Sequence, residues 1–276
     1  MAITASDVNK LRQQTGAGMM DCKNALVESN GDFEAAIDIL RKKGQKIAAK
    51  RGDNDAKEGL VLAQTTTDGK SGVILSLNCE TDFVAKNEGY ITFVQSLIDI
   101  ALSHKPDSAE SLKVLRYDDR LSVDEKIIEQ IGVIGEKLEL TNYAVVNASK
   151  VVAYNHPGNQ LATLVGLNSG SDVVEDAGRQ VAMQIAAMNP IAINKDGVDA
   201  RTIEREIEIG KELAIQEGKP VDMAEKIAMG RLNKFFQENT LLSQQFVRDN
   251  KLTVEQFLSS TETGLTVQDF KRFSLS

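Results

Sequence analysis

Tryptophan is absent from this 276-residue chain, which has only two cysteines, two histidines and four prolines. Each scarcity removes a class of answer. Cys22 and Cys79 are too few for a disulfide scaffold and form no CxxC pair, so both are expected as small core residues in a reducing compartment. His104 and His156 lie far apart and outside any HExxH context, so no metal site is expected. No GxxxxGK[ST] or GxGxxG sequence occurs, and the Gly-Lys pairs at 69, 210 and 218 lack the upstream glycine that a phosphate loop needs. The chain is therefore not expected to bind a nucleotide, or any other cofactor, itself. A formal net charge of -8 argues against a nucleic-acid backbone as the main partner, since such a partner calls for surplus Lys and Arg. No apolar run reaches the roughly 18 residues of a membrane span. The opening "MAITASDVNKLRQQ" also lacks the charged head and apolar middle of a secretory signal, so a cytoplasmic location is expected. With 40 Asp and Glu residues, carboxylate pairs arise by chance, and nothing in the chain is positive evidence of an enzyme.

What is present is strong periodicity. Residues 1–45 read as three short helices. Ser6 is the expected N-cap of the first, with Val8 and Leu11 on one face and "TGAG" ending it. The second runs from about Met19 to Glu28 with Met19, Cys22 and Leu26 on one side, until "NGD" stops it. The third starts after Asp32, carries Phe33, Ala36, Ile37 and Leu40 at helical spacing, and is expected to end near Gly44 in the left-handed conformation. The tail from 45 to 59 reads as a helix fraying into a linker.

Beyond it the period becomes two. "GLVLAQTTT" and "GVILSLNC" flank a "DGKS" turn and predict a β-hairpin over 59–79. A helix over 88–103 follows with Tyr90, Phe93, Val94, Leu97, Ile98 and Ala101 as its buried stripe. A helix opened by a Ser122–Glu125 capping box comes next, then strands near 138–154 and at "LATLVGL". A helix over 172–188 is expected to bury Val174, Ala177, Val181, Ile185 and Met188. Residues 199–239 read as two charged amphipathic helices about a Gly218-Lys219-Pro220 turn. A strand at "LLSQQFVRDN", a helix opened by Thr253 and Gln256, and a last strand through "DFKRFSL" complete an α+β chain.

The chemistry concentrates at "LSLNCETDFVAKN", 75–87, where an apolar strand ends and Thr81 can cap a helical turn. Two readings of Phe83 stand on residue type alone: it folds back onto the core, or it projects as an anchor for a partner's apolar pocket. Asp82 is either a cap or a group aimed at a partner.

Taken together, "LRQQTGAGMMDCKNAL" (11–26) and "NCETDFVAKN" (78–87), with "QVAMQIAAMNP", "KPVDMAEKIAMGRLNKFF" and "LLSQQFV" further on, closely resemble translation elongation factor Ts, the nucleotide exchange factor for elongation factor Tu. The resemblance implies an N-terminal bundle like the ubiquitin-associated fold over 1–51 and a two-part α+β core. The core parts are expected at 52–137 and at 138–198 with 233–276, and 199–232 as an inserted helical hairpin that supports a homodimer in some members. It implies elongation factor Tu, GDP-bound and nucleotide-free, as partner, with no nucleic acid and no membrane. Asp82 and Phe83 would be the intruding pair. Arg12, Met19 and Met20 would contact the same GTPase domain, against the alternative that the methionines are core fillers. Ile134 and Gly135 of "IGEK" would flank the intruding turn, and His156 would meet the partner elsewhere. The sequence departs from the family where Gln245 stands in place of a common proline and where the chain stops soon after "FKRF". A ubiquitin-associated-type adaptor is the alternative, and it would account for the first 45 residues alone.

Overall fold

The computed structural model describes residues 3–275; residues 1, 2 and 276, the outermost positions of the expected terminal units, lie outside it. Three helices open the chain: α1 (Ala5–Thr15), α2 (Met19–Glu28) and α3 (Phe33–Arg51). Thr4 rather than Ser6 caps α1, because Asp7 stands three residues after Thr4. The Thr4 N–H donates to the Asp7 carboxylate at 3.0 Å and the Asp7 N–H to Thr4 Oγ1 at 3.2 Å, a reciprocal box that Ser6 followed by Asn9 does not form.

The bundle core joins Val8, Leu11, Cys22, Ala25, Leu26, Ala36 and Ile37. Met19 is not in it, contrary to the expected face. Ala17, in the loop before α2, takes the core position beside Cys22 and receives its thiol on the carbonyl at 3.6 Å, which leaves Met19 outside.

Gly44 also departs from expectation. It is buried inside α3, which continues to Arg51, and it lies against Gly132 of α7 (Val123–Ile134). A Cβ on Gly44 would stand 2.9 Å from Ile128 O, and one on Gly132 would stand 2.9 Å from Gly44 Cα. The missing side chains let two helix backbones touch, so glycine here serves a crossing and not a cap. Past the crossing, Ile47 and Ala48 of α3 pack on the first core.

That core lies under an antiparallel sheet of β1 (Glu58–Thr65), β2 (Ser71–Cys79) and β3 (Glu139–Asn147), in spatial order β1-β2-β3. After β2 come a one-turn helix α4 (Asp82–Ala85), α5 (Glu88–His104) and α6 (Ala109–Lys113). All six expected positions of the α5 stripe are buried against Val73, Leu75, Leu77 and Cys79 of β2, and the Ser122–Glu125 box caps α7 as expected. A second antiparallel sheet, β4 (Lys150–Asn155), β5 (Leu161–Leu167) and β8 (Val267–Ser274), is ordered β4-β5-β8 and covered by α8 (Val174–Met188). The two sheets meet through Val61, Ala63, Ile74, Val146, Val151, Ala162 and Leu164. Every residue of β2 is therefore buried, one face on α5 and the other on the second sheet.

Met188 is exposed, not buried, because α8 ends there. Asn189 takes the left-handed conformation and turns the chain away, its N–H returning to Ile185 O at 3.1 Å. The hairpin is formed by α9 (Ala200–Gln216) and α10 (Val221–Asn239), which touch where Gly210 meets Ala228. Its base is closed by backbone bonds from Ile191 N to Asn239 O and from Leu241 N to Ala192 O, both 2.9 Å. The single strand expected over 241–250 is instead a short 3-10 turn followed by β6 (Gln245–Phe246) and β7 (Asp249–Thr253). Fully buried Gln184 of α8 takes the backbone groups there, donating to Gln245 O at 3.1 Å and accepting from Val247 N at 2.9 Å, which stops the strand after two residues. Thr253 and Gln256 then box the start of α11 (Val254–Thr261), as expected.

Candidate functional site

The end of β2 is where the fold exposes an aromatic ring. Phe83 is 83% exposed, the most exposed large apolar side chain among the described residues. Covering such a ring is ordinarily worth about 2 kcal/mol or more. It stays outside because the turn beneath it is tied down. Thr81 is the N-cap of α4, accepting from the Val84 N–H at 3.4 Å, and Asn87 caps α5 immediately afterwards through the N–H groups of Gly89 and Tyr90. Inside the turn, the Tyr90 hydroxyl donates to Leu77 O at 2.6 Å, and burial raises its pKa far above the usual phenol value. Burial also pushes the Cys79 thiol up to about 11, so it remains a protonated core group, not a nucleophile. As expected, both cysteines are free and buried.

Two glutamates hold the turn from outside the sheet. The Glu136 carboxylate accepts from the Glu80 N–H at 3.2 Å, the Thr81 N–H at 3.0 Å and the Thr81 hydroxyl at 2.7 Å. Glu80 in turn accepts from the Lys137 N–H at 2.6 Å, from Arg51 Nη1 on both of its oxygens at 2.8 Å, and from the Asn54 amide at 3.0 Å. Burial works to raise the Glu80 pKa, but the Lys137 N–H and the Arg51 and Asn54 donors outweigh it and hold the carboxyl below its usual range. These residues were not singled out in the sequence. Glu80 and Glu136 are two of 40 acidic residues, and only the fold brings them together.

Since Thr81 holds the cap, Asp82 is free for another contact. Its carboxylate pairs with Lys86 at 2.6 Å, and the hydrogen bond and charge of that lysine lower its pKa. An exposed pair of this kind contributes little to stability and is readily exchanged for another partner.

Phe83, Val84, Asn87 and Tyr90 line a surface cleft with Val133 and Ile134, the last turn of α7. Gly135 closes that helix in the left-handed conformation with φ 80°, and its N–H returns to Ile131 O at 2.8 Å. A Cβ placed on Gly135 would meet nothing within 4 Å, so the backbone beside the cleft is open to an approaching surface.

The loop that precedes the N-terminal candidates Met19 and Met20 reaches the same helical turn. Arg12, Met19 and Met20 are all exposed, the methionines by 45% and 63%. The loop between α1 and α2 rests on α7, with a Cβ on Gly16 3.9 Å from Val133. Val133 therefore borders both the α1–α2 loop and the Phe83 cleft. His156 lies in the exposed turn between β4 and β5, its Nδ1 2.9 Å from the Tyr154 hydroxyl. That turn is anchored to β1 by Val61 N donating to Asn159 O at 2.7 Å and by the Asn155 amide on both backbone groups of Ala63.

Among the described residues, no helix is long and apolar enough to cross a membrane. A family model described as "Elongation factor TS" matches residues 80–276. The chain is 55% identical over 274 residues to "Elongation factor Ts" of Amoebophilus asiaticus, covering 99% of this chain and 98% of that protein. It is 51% identical over 275 residues to the protein of the same name from Cytophaga hutchinsonii, with 99% of each covered. The corresponding protein of Porphyromonas gingivalis is 47% identical over 276 residues, spanning all of this chain and 99% of its own length.

Proposed function

We propose, since this chain belongs to the elongation factor Ts family, that it serves protein synthesis in the cytoplasm as the guanine nucleotide exchange factor for elongation factor Tu. It performs no bond chemistry of its own. The observation that carries the mechanism is Phe83: a ring left 83% exposed on a hydrogen-bonded turn, with a half-buried isoleucine and an open glycine beside it.

Phe83 enters an apolar cleft of the partner's GTPase domain, and Asp82 leaves Lys86 for a donor on the partner. The ring is fully buried only when that cleft opens, so its burial stabilises the state in which the groups around the magnesium ion and the phosphates are displaced. Linkage gives the rest: a factor that binds the nucleotide-loosened state more tightly must weaken GDP by the same ratio, about tenfold for each 1.4 kcal/mol. Arg12, Met19 and Met20 contact the same domain, Ile134 and Gly135 flank the ring, and His156 meets the partner at a second place. The factor engages elongation factor Tu both GDP-bound and nucleotide-free, without nucleic acid or membrane.

The test is release of a fluorescent GDP analogue from purified elongation factor Tu. Added chain is expected to raise the release rate in a saturable way. A rate that stays at the intrinsic value at every concentration rejects the exchange reading.

The α9–α10 hairpin supplies a self-association surface, since Leu213, Ile215, Val221, Met223 and Met229 are exposed along it. Deleting residues 199–232 and closing the gap with a short flexible linker is expected to shift sedimentation toward the monomer while leaving saturable GDP release. Loss of exchange from a folded deletion would assign the hairpin a direct part in exchange.

A further inference from the structure

Two segments far apart in sequence clasp each other at the base of the Phe83 turn. Glu136 takes the backbone N–H groups of residues 80 and 81, and Glu80 takes the backbone N–H of residue 137. Each glutamate thus satisfies the main chain next to the other. The third bond to Glu136 comes from the hydroxyl of Thr81, the same atom that caps α4. A single carboxylate therefore orients the cap, and the cap orients the first turn that carries Phe83. The left-handed Gly135 makes this reach available, because it ends α7 and redirects the chain one residue before Glu136. Behind the clasp, Arg51 at the end of α3 holds Glu80 through Nη1, which donates to both carboxylate oxygens in a charge-assisted contact.

We propose that Glu136 is a positioning residue for the Phe83 wedge, with Glu80 and Arg51 extending the support to the N-terminal bundle. The inference rests on the exchange-factor reading and assigns it residues that act through Phe83. The apolar core under β2 contains Cys79, Tyr90, Leu97 and Ile131, none of which is a partner in these bonds. What the clasp adds is a fixed direction for an exposed ring, and ordering that ring before contact removes a cost otherwise met on binding. A turn that samples several directions presents the wedge for only part of the time, and its effective strength falls by that fraction.

The test titrates the full chain against elongation factor Tu carrying a fluorescent GDP analogue, and compares Glu136→Ala, Glu136→Gln, Phe83→Ala and the double variant Phe83→Ala with Glu136→Ala. Loss of charge-assisted hydrogen bonds under the wedge is expected to lower the maximal release rate of Glu136→Ala about tenfold. The half-saturating concentration should move much less, because Arg12, Met19 and Met20 are untouched. Glu136→Gln should retain most of the rate, since its oxygen still accepts from the backbone and its amide can donate to Thr81. In the Phe83→Ala background, removing Glu136 should cost nothing further, as expected of a residue that acts through Phe83.

A wild-type maximal rate for Glu136→Ala, or a full additional loss in the double variant, overturns the proposal. If Glu136→Ala melts below the assay temperature, Glu80→Gln carries the test. It should lower the maximal rate about threefold, the loss of part of a charged hydrogen bond, and an unchanged rate again overturns the idea. Phe83→Ala behaving as wild type would reject the wedge reading itself. Phe83→Ala impaired beside a fully active Glu136→Ala would reject this inference alone.

Discussion

Phe83→Ala is expected to leave the fold intact and to remove most of the exchange activity. The ring is 83% exposed, so deleting it opens no cavity and should barely move the melting temperature. Truncating an aromatic anchor at the centre of an interface ordinarily costs about 2 to 4 kcal/mol. Applied to the nucleotide-loosened state, that is on the order of 30- to 1,000-fold in GDP release. The loss should persist at saturating factor, because higher concentration restores occupancy but not a contact made only when the cleft is open. Stopped-flow release of the labelled nucleotide across a titration measures this directly. Recovery of the full rate at high concentration would mean that Phe83 supplies binding energy alone, and the wedge would have to be assigned elsewhere.

The second large effect is predicted at Gly59, on the strand next to the same turn. Gly59 pairs with Asn78 and has φ 138°, a conformation that side-chain-bearing residues rarely adopt. A Cβ there would stand 2.2 Å from Leu77 O and 2.7 Å from Asn78 Cα. Neither atom belongs to a flexible side chain, and Leu77 O is also held by the Tyr90 hydroxyl at 2.6 Å. Gly59→Ala must therefore push β1 off β2 or break that bond. Backbone strain and overpacking together should cost about 3 kcal/mol, lowering the melting temperature by roughly 6 to 12 °C for a chain of this size. Gly264 is the control: its φ is 81°, but a Cβ there meets nothing within 4 Å, so alanine should cost only about 1 kcal/mol. Equal melting shifts for the two variants, measured by calorimetry, would show that the close approach at Gly59 is relieved without cost. A folded Gly59→Ala should also lose exchange, because Asn78 is two residues from Glu80 and any shift there moves the base of the clasp.

Much of the fold was legible because it is written in short-range pattern. The α5 stripe from Tyr90 to Ala101 follows from spacing of three and four residues, and the β1–β2 hairpin from alternation around a "DGKS" turn. The boxes at Ser122 and at Thr253 follow from a hydroxyl three residues ahead of Glu or Gln. The place of Phe83, on a helical turn just after a strand and behind a capping threonine, was legible for the same reason, and the family was legible because its motifs are long and continuous. Each of these signals lies within a dozen or so residues, where backbone geometry alone relates one side chain to the next.

The misreadings share the opposite property. Gly44 looked like a helix end because glycine after an amphipathic run commonly is one. Its contact is with Gly132, and no local pattern marks a helix crossing. Met19 had the spacing of a core residue, but Ala17 from the preceding loop already fills that space. The strand expected near Gln245 was cut short by Gln184 on a distant helix.

By itself, then, the sequence determined the kinds and order of the elements, the α+β class, the family, and which aromatic sits at the corner. Tertiary structure decided that Phe83 faces outward, that Met19 and Met20 stay exposed, that the α1–α2 loop meets Val133 beside the Phe83 cleft, and that Glu136 and Glu80 clasp its turn. The physical reason is range. Exposure and hydrogen-bond partnership depend on which surfaces meet, and the surfaces that meet here are brought together by β2 pairing with β3 and by α3 crossing α7, contacts between segments with no periodic relation along the chain.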